Sequence, residues 1–391
     1  MPAVLLLGLG QQGRAALHDL VGQDTFEKIF VADASEAALQ QAAARYPDPR
    51  LSFHKLDLRA ENALAPIFER SEPGVLVDLL PIQFIPIAAA RAVAAGWHYV
   101  NTYYTLPELE ELAETAETAN IAILPECGFD PGIDLVMAGH GFRQFQQVEE
   151  YLSYGAGVPE PEACTNPLNY KITWIFEGVL NSYYRPARLV DQGRIVEIPP
   201  DEIFAPKFRH TVDIPGVGAL EAFPNGDVVK YLPPGSLGNF RRAGRFAMRW
   251  PGHGAFWHVL AKLGLLEDRR VEIQGASLSQ RTVLAALLEP KLQYDAGERD
   301  LAILRVEVAG RRNGRRIRWI SELVDRRDLD TGLMAMNRTV GFTAAIGAEM
   351  LAKGDISRRG LLNPWNDIPF EPFIRRLAAR NIEVRSRFQI E

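Results

Sequence analysis

The amino-acid sequence predicts a doubly wound parallel α/β sheet followed by a second, α+β domain whose sheet is mostly antiparallel. Up to about residue 125, short apolar runs alternate with helical patterns, as expected when helices cover both faces of a parallel sheet. Beyond about residue 146 the strands become longer and more alternating, and turns rich in glycine and proline separate them. A chain of 391 residues is long enough for two cores. We therefore predict one domain over residues 1–125 and another over residues 126–344.

The first element is an apolar strand that runs into a glycine-rich turn and then into a helix. Gly8 permits the turn, Gly10 has no Cβ to block a pyrophosphate, and Gly13 lets the helix lie close to the strand. Free backbone N–H groups and the positive end of the helix dipole would face the phosphates. The predicted dinucleotide-binding residues of this turn are Gly8, Gly10, Gln11, Gln12 and Gly13.

The second strand ends in an acidic residue, Asp33, twenty residues after Gly13. An acid at this position accepts hydrogen bonds from a ribose and repels a 2′-phosphate. The residues that follow it, Ala34 and Ser35, offer no cation. The sequence therefore predicts NAD as the cofactor in preference to NADP.

Polar or turn-forming residues follow the later strands, at the sheet edge where ligands bind in doubly wound folds. Asp57 follows the third strand and is either an adenine contact or a simple loop acid, while Pro81 follows the fourth, on the expected nicotinamide side. The fifth and sixth strands lead to loops that contain Tyr104 and Asp130. Because Asp130 precedes Pro131, it has the pattern of a helix N-cap, and it is either only a cap or a cap that also faces substrate.

The composition excludes several classes of protein. A formal net charge of −6 argues against a general nucleic-acid binder, because neutralising phosphates requires a basic surface. The basic stretch at residues 311–316 surrounds Asn313-Gly314, which indicates the tip of a hairpin with a type I′ turn rather than a nucleic-acid contact. No apolar run reaches the roughly 18 residues that span a bilayer. With two cysteines, we expect a cytosolic, reduced protein without a membrane segment.

Several further segments share their order and spacing with one known family. They are residues 128–134, 166–171, 177–179, 221–226, 249–253 and 331–342, together with the glycine turn. Over nearly the whole chain, these segments resemble the saccharopine dehydrogenase family, specifically its saccharopine reductase and lysine 6-dehydrogenase branch.

The resemblance implies a Rossmann domain onto which the last helices, from about residue 345 to residue 391, return. It also implies a central domain with the substrate contacts and the interface of a homodimer, and hydride transfer at an amine-bearing carbon of an amino acid. The chain is more similar to lysine 6-dehydrogenases, because it lacks the extra length of saccharopine reductases. It departs from the family at Asn101, Glu126 and Gly155, which leaves the exact substrate open.

The resemblance also implies roles for individual side chains. Arg249 matches a position that could hold a substrate α-carboxylate, with Lys171 as a second candidate; the alternative for both is a salt bridge that positions loops. Tyr104 and Asp130 are candidates for orienting or deprotonating the amine. His253 is either a substrate contact or a structural residue. We expect no metal, because the chemistry needs none and no His/Cys cluster has zinc spacing.

These observations favour oxidative deamination of a lysine-like amino acid. The first alternative is a saccharopine-type dehydrogenase, or a related polyamine-forming reductase, which acts on a secondary amine. A protein of another class would keep the Rossmann fold and bind the dinucleotide without turnover. In every case the expected partners are a small molecule and a second copy of the chain.

Overall fold

A computed structural model describes residues 2–233 and 235–390. The chain divides into two compact units. The first unit comprises Met1–His140 and Asn337–Glu383, and the second comprises Gly141–Met336 and Val384–Glu391. Within the described residues, no helix has both the length and the apolar character needed to cross a membrane.

Strands and helices are numbered along the chain. The strands are β1 (Ala3–Leu7), β2 (Lys28–Asp33), β3 (Leu51–Lys55), β4 (Val75–Asp78), β5 (His98–Asn101), β6 (Ala122–Leu124), β7 (Gln147–Pro159), β8 (Ala187–Asp191), β9 (Arg194–Ile198), β10 (His210–Ile214), β11 (Gly218–Pro224), β12 (Arg242–Arg249), β13 (Arg270–Ile273), β14 (Ala276–Ser279), β15 (Asp300–Arg312), β16 (Arg315–Arg326), β17 (Gly360–Leu361) and β18 (Val384–Ile390). The α-helices are α1 (Gln11–Val21), α2 (Glu36–Arg45), α3 (Ala65–Phe68), α4 (Ile85–Ala94), α5 (Pro107–Glu111), α6 (Ala113–Thr118), α7 (Ile133–Phe142), α8 (Phe176–Tyr183), α9 (His253–Lys262), α10 (Gln280–Leu288), α11 (Ala335–Ala352), α12 (Pro364–Asp367) and α13 (Phe370–Ala378).

The first unit contains a parallel sheet with the strand order β17-β6-β5-β4-β1-β2-β3. Every residue of β1 and β4 is buried, which explains why these strands are apolar almost throughout. The strand order reverses between β1 and β4, and in doubly wound sheets this reversal marks the ligand crevice at the carboxyl ends of the strands. The predicted doubly wound sheet is therefore confirmed.

The second unit is built on a larger mixed sheet. Its main order is β10-β11-β12-β7-β15-β16-β18, with β8 and β9 added beside β12. Only the pairing of β12 with β7 is parallel among the pairings described in this sheet. The prediction of a mostly antiparallel second sheet is thus confirmed.

The longest hairpin of this sheet joins β15 and β16 through the predicted Asn-Gly turn. Arg312 pairs with Arg315, and the two residues between them, Asn313 and Gly314, have φ angles of 52° and 75°. A type I′ turn requires positive φ at both central positions, which asparagine and glycine adopt most easily. The residue types at the tip therefore follow from the backbone they must adopt.

The two units do not end where the predicted domains end. Residues 126–140, assigned above to the second domain, lie in the first unit, where most of α7 is buried. At the other end of the chain, Val384–Ile390 form β18 on the edge of the second sheet instead of continuing the helices of the first unit. The reason is the period-two alternation in this segment, in which valine, serine, phenylalanine and isoleucine alternate with the long polar residues arginine and glutamine, a pattern that suits a strand.

Candidate active site

The glycine turn of the first unit has the geometry that a dinucleotide requires. Gly8 has a φ of +92°, and a Cβ on Gly13 would lie 1.9 Å from the Gly8 carbonyl oxygen, so a side chain has no room there. A Cβ on Gly10 would meet nothing within 4 Å, which leaves open space above the turn. Gln11 and Gln12 start α1 directly after it, with their backbone N–H groups at the helix N-terminus. The residues present therefore fit a pyrophosphate.

Asp33 lies at the end of β2 beside this turn, and both of its carboxylate oxygens bond to the backbone. One oxygen accepts from the N–H of Leu9 at 2.6 Å, and the other accepts from the N–H of Ser35 at 2.7 Å. The carboxylate thus joins the glycine turn to the loop that begins α2. This structural task accounts for an acid at the strand end without any ribose contact.

The two other predicted cofactor residues lie on exposed loops at the same sheet edge. Asp57 forms a bidentate salt bridge with Arg59. Hydrogen bonds from this guanidinium lower the pKa of the Asp57 carboxyl to about 2. Pro81 follows β4, and its carbonyl oxygen accepts a hydrogen bond from the N–H of Phe84 at 2.9 Å. The acid at residue 57 is therefore already paired within its own loop.

The loop after β5, which carries Tyr104, is bonded to the loop after β6. The N–H of Cys127 donates to the carbonyl oxygen of Asn101, and the N–H of Glu126 donates to that of Tyr103, both at 2.9 Å. The ring of Tyr104 is partly buried and meets that of Tyr103 edge to face, with centroids 5.7 Å apart. Both loops are consequently held together at the carboxyl edge of the sheet.

Asp130 lies in the second of these loops, but it is not the N-cap of the following helix. The helix α7 starts at Ile133, three residues after Asp130, and the carboxylate of Asp134 accepts from the N–H of Gly132 at 2.9 Å. The capping interpretation is therefore wrong, because the residue directly before the helix is Gly132, two residues after Asp130. Asp130 itself is partly buried.

In the second unit, Arg249 ends β12 as a buried cation, and its side chain is 8% exposed. Its Nε donates to the hydroxyl of Tyr183 at 3.1 Å, and its Nη1 donates to the carbonyl oxygen of Met248 at 2.7 Å. The guanidinium carbon lies 5.3 Å from the ring centroid of Tyr170. No carboxylate pairs with Arg249 among the residues that the structure describes, so a buried positive charge remains without a counter-charge.

His253, the first residue of α9, is bonded to the same tyrosine. The hydroxyl of Tyr183 lies 2.8 Å from Nε2 of His253. Burial and the nearby charge of Arg249 hold the pKa of His253 well below its usual 6.5, so the imidazole is neutral. The Tyr183 hydroxyl therefore contacts both Arg249, from which it accepts, and the imidazole of His253.

Lys171 is also buried, but its charge is compensated. Its Nζ lies 2.6 Å and 2.5 Å from the two carboxylate oxygens of Glu298, and it sits 5.7 Å from the ring centroid of Tyr294. One oxygen of Glu298 also accepts from the N–H of Asp295. These contacts support the alternative role of Lys171, a salt bridge that positions loops, over the binding of a substrate carboxylate.

Several residues around Arg249 and Lys171 were not predicted from the sequence as site residues. The hydroxyls of Tyr170 and Tyr294 are buried and have no hydrogen-bond partner among the described residues, and both lie within electrostatic reach of Arg249. Tyr183 and Glu298 were missed as well. No local pattern marks any of these residues, because each meets its partner across a long sequence separation.

Comparison with known proteins identifies the family. Residues 4–124 match the saccharopine dehydrogenase NADP binding domain, and residues 128–382 match the saccharopine dehydrogenase C-terminal domain. The chain is 26% identical to the bovine mitochondrial alpha-aminoadipic semialdehyde synthase, over 97% of this chain and 47% of that protein. It thus spans about half the length of that relative.

A fungal relative and a solved structure each match this chain over nearly their full length. The saccharopine dehydrogenase (NADP(+), L-glutamate-forming) of Pyricularia oryzae is 26% identical, over 96% of both chains. The apo saccharopine dehydrogenase (L-Glu forming) from Saccharomyces cerevisiae superposes with a TM-score of 0.85 at 24% identity, covering 100% of both chains. The latter match supports the fold described above.

These matches overturn the predicted cofactor. The model that matches the first domain describes NADP binding, and the fungal relatives are named for NADP(+). The prediction of NAD was wrong, because it treated Asp33 as a ribose ligand although its carboxylate holds two backbone N–H groups. The chain belongs to the saccharopine dehydrogenase family.

Proposed function

We propose that this chain oxidises the terminal C–N bond of a lysine-derived amino acid with NADP+, and that Arg249 binds the α-carboxylate of that substrate. One observation carries the proposal: a buried guanidinium has no carboxylate partner among the described residues, and two tyrosine hydroxyls within its electrostatic reach, those of Tyr170 and Tyr294, have no hydrogen-bond partner there. A buried cation without a counter-charge costs free energy, which an anionic ligand would recover. A bidentate Arg–carboxylate contact is the strongest match to this environment.

In this proposal the first unit holds the cofactor and the second unit holds the substrate carboxylate. Bound NADP+ would supply the hydride acceptor, with its pyrophosphate at the turn from Gly8 to Gly13. Tyr104 and Asp130, on loops at the carboxyl edge of the first sheet, remain our candidates for taking the amine proton. The hydroxyls of Tyr170 and Tyr294 would donate to the carboxylate beside Arg249.

Two substrates fit this chemistry, and they differ in the amine that leaves. In both cases hydride transfer to NADP+ and loss of a proton would leave an imine, which water then hydrolyses. Saccharopine would give L-glutamate and α-aminoadipic semialdehyde, the compounds named for the relatives, whereas lysine would give ammonia and the same aldehyde. The relatives therefore support saccharopine. The lysine 6-dehydrogenase alternative is favoured by a different observation: Arg249 has no carboxylate partner among the described residues, whereas Lys171 is neutralised by Glu298, which suits a substrate with one carboxylate.

The decisive experiment supplies NADP+ with lysine, saccharopine or a carboxylated polyamine, and follows NADPH formation by absorbance. Turnover of saccharopine with L-glutamate as product supports the first assignment, and turnover of lysine with release of ammonia supports the second. If none of the three amines reduces NADP+, while NADPH binds tightly, the proposed oxidation is wrong.

We also propose that the protein is a homodimer in a reducing compartment. Both cysteines are free thiols, and β10 and β18 leave open edges on the second sheet, which favour strand pairing with another chain. Light scattering should give twice the chain mass of 43.5 kDa at micromolar concentration. A monomer under these conditions contradicts the dimer.

A further inference from the structure

A chain of buried polar side chains links the ends of β4 and β5 in the first unit. Asp78 ends β4, Asn101 ends β5, and the two residues are register partners in the parallel sheet. Tyr99 lies two residues before Asn101, on the same face of the strand. Its hydroxyl donates to Asp78 at 2.7 Å and accepts from the side-chain amide of Asn101 at 3.1 Å. All three side chains are buried, with exposures of 0–2%.

Both ends of this chain bond to the backbone of the loops that follow the strands. The second carboxylate oxygen of Asp78 accepts from the N–H of Leu80 at 2.9 Å. The side-chain oxygen of Asn101 accepts from the N–H of Tyr103 at 3.0 Å. One continuous path of hydrogen bonds therefore joins the loop that contains Pro81 to the loop that contains Tyr104.

Packing alone does not account for these residues. Asp78 has no cationic partner among the described residues, and burial raises the pKa of its carboxyl to about 6. An apolar residue of similar size would fill the space without the cost of burying a carboxylate. The network also lies on the β4–β5 side of the strand reversal, where a dinucleotide places its nicotinamide half; its adenosine half lies beside β1 and β2.

We propose that Asp78, Tyr99 and Asn101 are positioning residues that fix the loops after β4 and β5 against the nicotinamide half of the cofactor. The proposal rests on the cofactor site assigned under the proposed function. None of the three needs to touch the ligand, because each acts through the backbone of the loop it holds. A loop displaced by about 1 Å can lower the rate of a reaction by roughly 100-fold.

The test variant is Tyr99→Phe, which keeps the ring but removes both hydroxyl bonds. Tyr46→Phe is the matched control, since the Tyr46 hydroxyl contacts His18 in the same unit, at 3.2 Å and beyond the last residue of α2. Two probes separate the halves of the cofactor: NADPH, and adenosine 2′,5′-bisphosphate, which lacks the nicotinamide. We expect Tyr99→Phe to weaken NADPH binding about 10-fold and to leave the bisphosphate affinity within about twofold.

The control should leave both affinities unchanged. Equal affinities of Tyr99→Phe and the unmodified protein for NADPH would overturn the proposal, and so would an equal loss for both probes. If Tyr99→Phe does not fold, Asp78→Asn gives the same comparison, because an amide has one acceptor oxygen and cannot accept from both the Tyr99 hydroxyl and the N–H of Leu80. Binding is measured without turnover, so a failed amine screen would reject the proposed reaction without affecting this result.

Discussion

Replacement of Arg249 by methionine should separate binding of substrate from stability of the fold. The variant loses two charge-assisted hydrogen bonds, to Tyr183 and to the carbonyl of Met248, worth about 1.5–3 kcal/mol each. It also removes an unpaired buried cation, whose desolvation costs several kcal/mol. The two contributions nearly cancel, so the free energy of unfolding should change by less than about 2 kcal/mol.

Turnover should respond very differently to the same change. Loss of an engaged carboxylate contact costs about 2–4 kcal/mol of transition-state binding, or roughly 30- to 1000-fold in kcat/KM. Affinity for NADPH should stay within about twofold, because the cofactor turn lies in the first unit. The assays are urea denaturation, NADPH fluorescence and steady-state kinetics with the amine found by the screen.

Arg245→Met provides the matched control, since Arg245 is a second buried arginine of β12 and stacks 4.4 Å from the ring centroid of Tyr231. This control should keep kcat/KM near the wild-type value. The reasoning is refuted if Arg249→Met unfolds more easily by over about 4 kcal/mol while kcat/KM stays at the wild-type value, because Arg249 would then be a structural residue.

Other changes test separate parts of the molecule. Gly13→Ala should abolish tight NADPH binding in calorimetric titration, because the new Cβ would lie 1.9 Å from the Gly8 carbonyl oxygen; retained affinity contradicts this geometry. Lys171→Met should lower the free energy of unfolding by about 3–5 kcal/mol in urea, and Lys171→Met combined with Glu298→Leu should recover most of that loss; equal losses would exclude a buried charge pair. The carboxyl of Asp78 has a folded pKa of about 6 against an ordinary 3.8, so it favours the folded state when protonated and penalises it above pH 6. Denaturation across pH should therefore show wild type gaining about 2 kcal/mol relative to Asp78→Asn between pH 7.5 and pH 4, and a pH-independent difference would contradict the buried carboxylate.

The fold was largely predictable because its strongest signals are local. The buried strands β1 and β4 are apolar except for Asp78 at the end of β4, and the Asn313-Gly314 turn fixes the β15–β16 hairpin. The strand β12 was not predicted, because it carries Arg245 and Arg249. Hydrophobic periodicity assigns charged residues of this kind to the surface. Their burial depends on aromatic partners that are distant in the sequence.

Apart from Arg249, Lys171 and His253, which the family resemblance indicated, the candidate site was predictable where backbone conformation dictates residue type. Gly8 and Gly13 are required by a positive φ and by a close approach of two backbone segments, and both requirements appear directly as glycine. Charged residues gave a weaker signal, because their partners decide their roles. Asp33 holds backbone N–H groups, and Lys171 is neutralised by Glu298 at a separation of 127 residues. The residue type at positions 33 and 171 does not reveal the partner of either side chain.

The tyrosine and histidine neighbours of Arg249 also determine how the cluster responds to acidity. Burial raises the pKa of both Tyr170 and Tyr183, and His253 stays neutral because burial and Arg249 lower its pKa. Arginine itself keeps its proton at any pH that a folded protein tolerates. The cluster therefore presents one constant positive charge from mildly acidic to alkaline solution. Any pH optimum of turnover must then reflect titration of the substrate amine or of the proton acceptor, and not a change in carboxylate binding by Arg249.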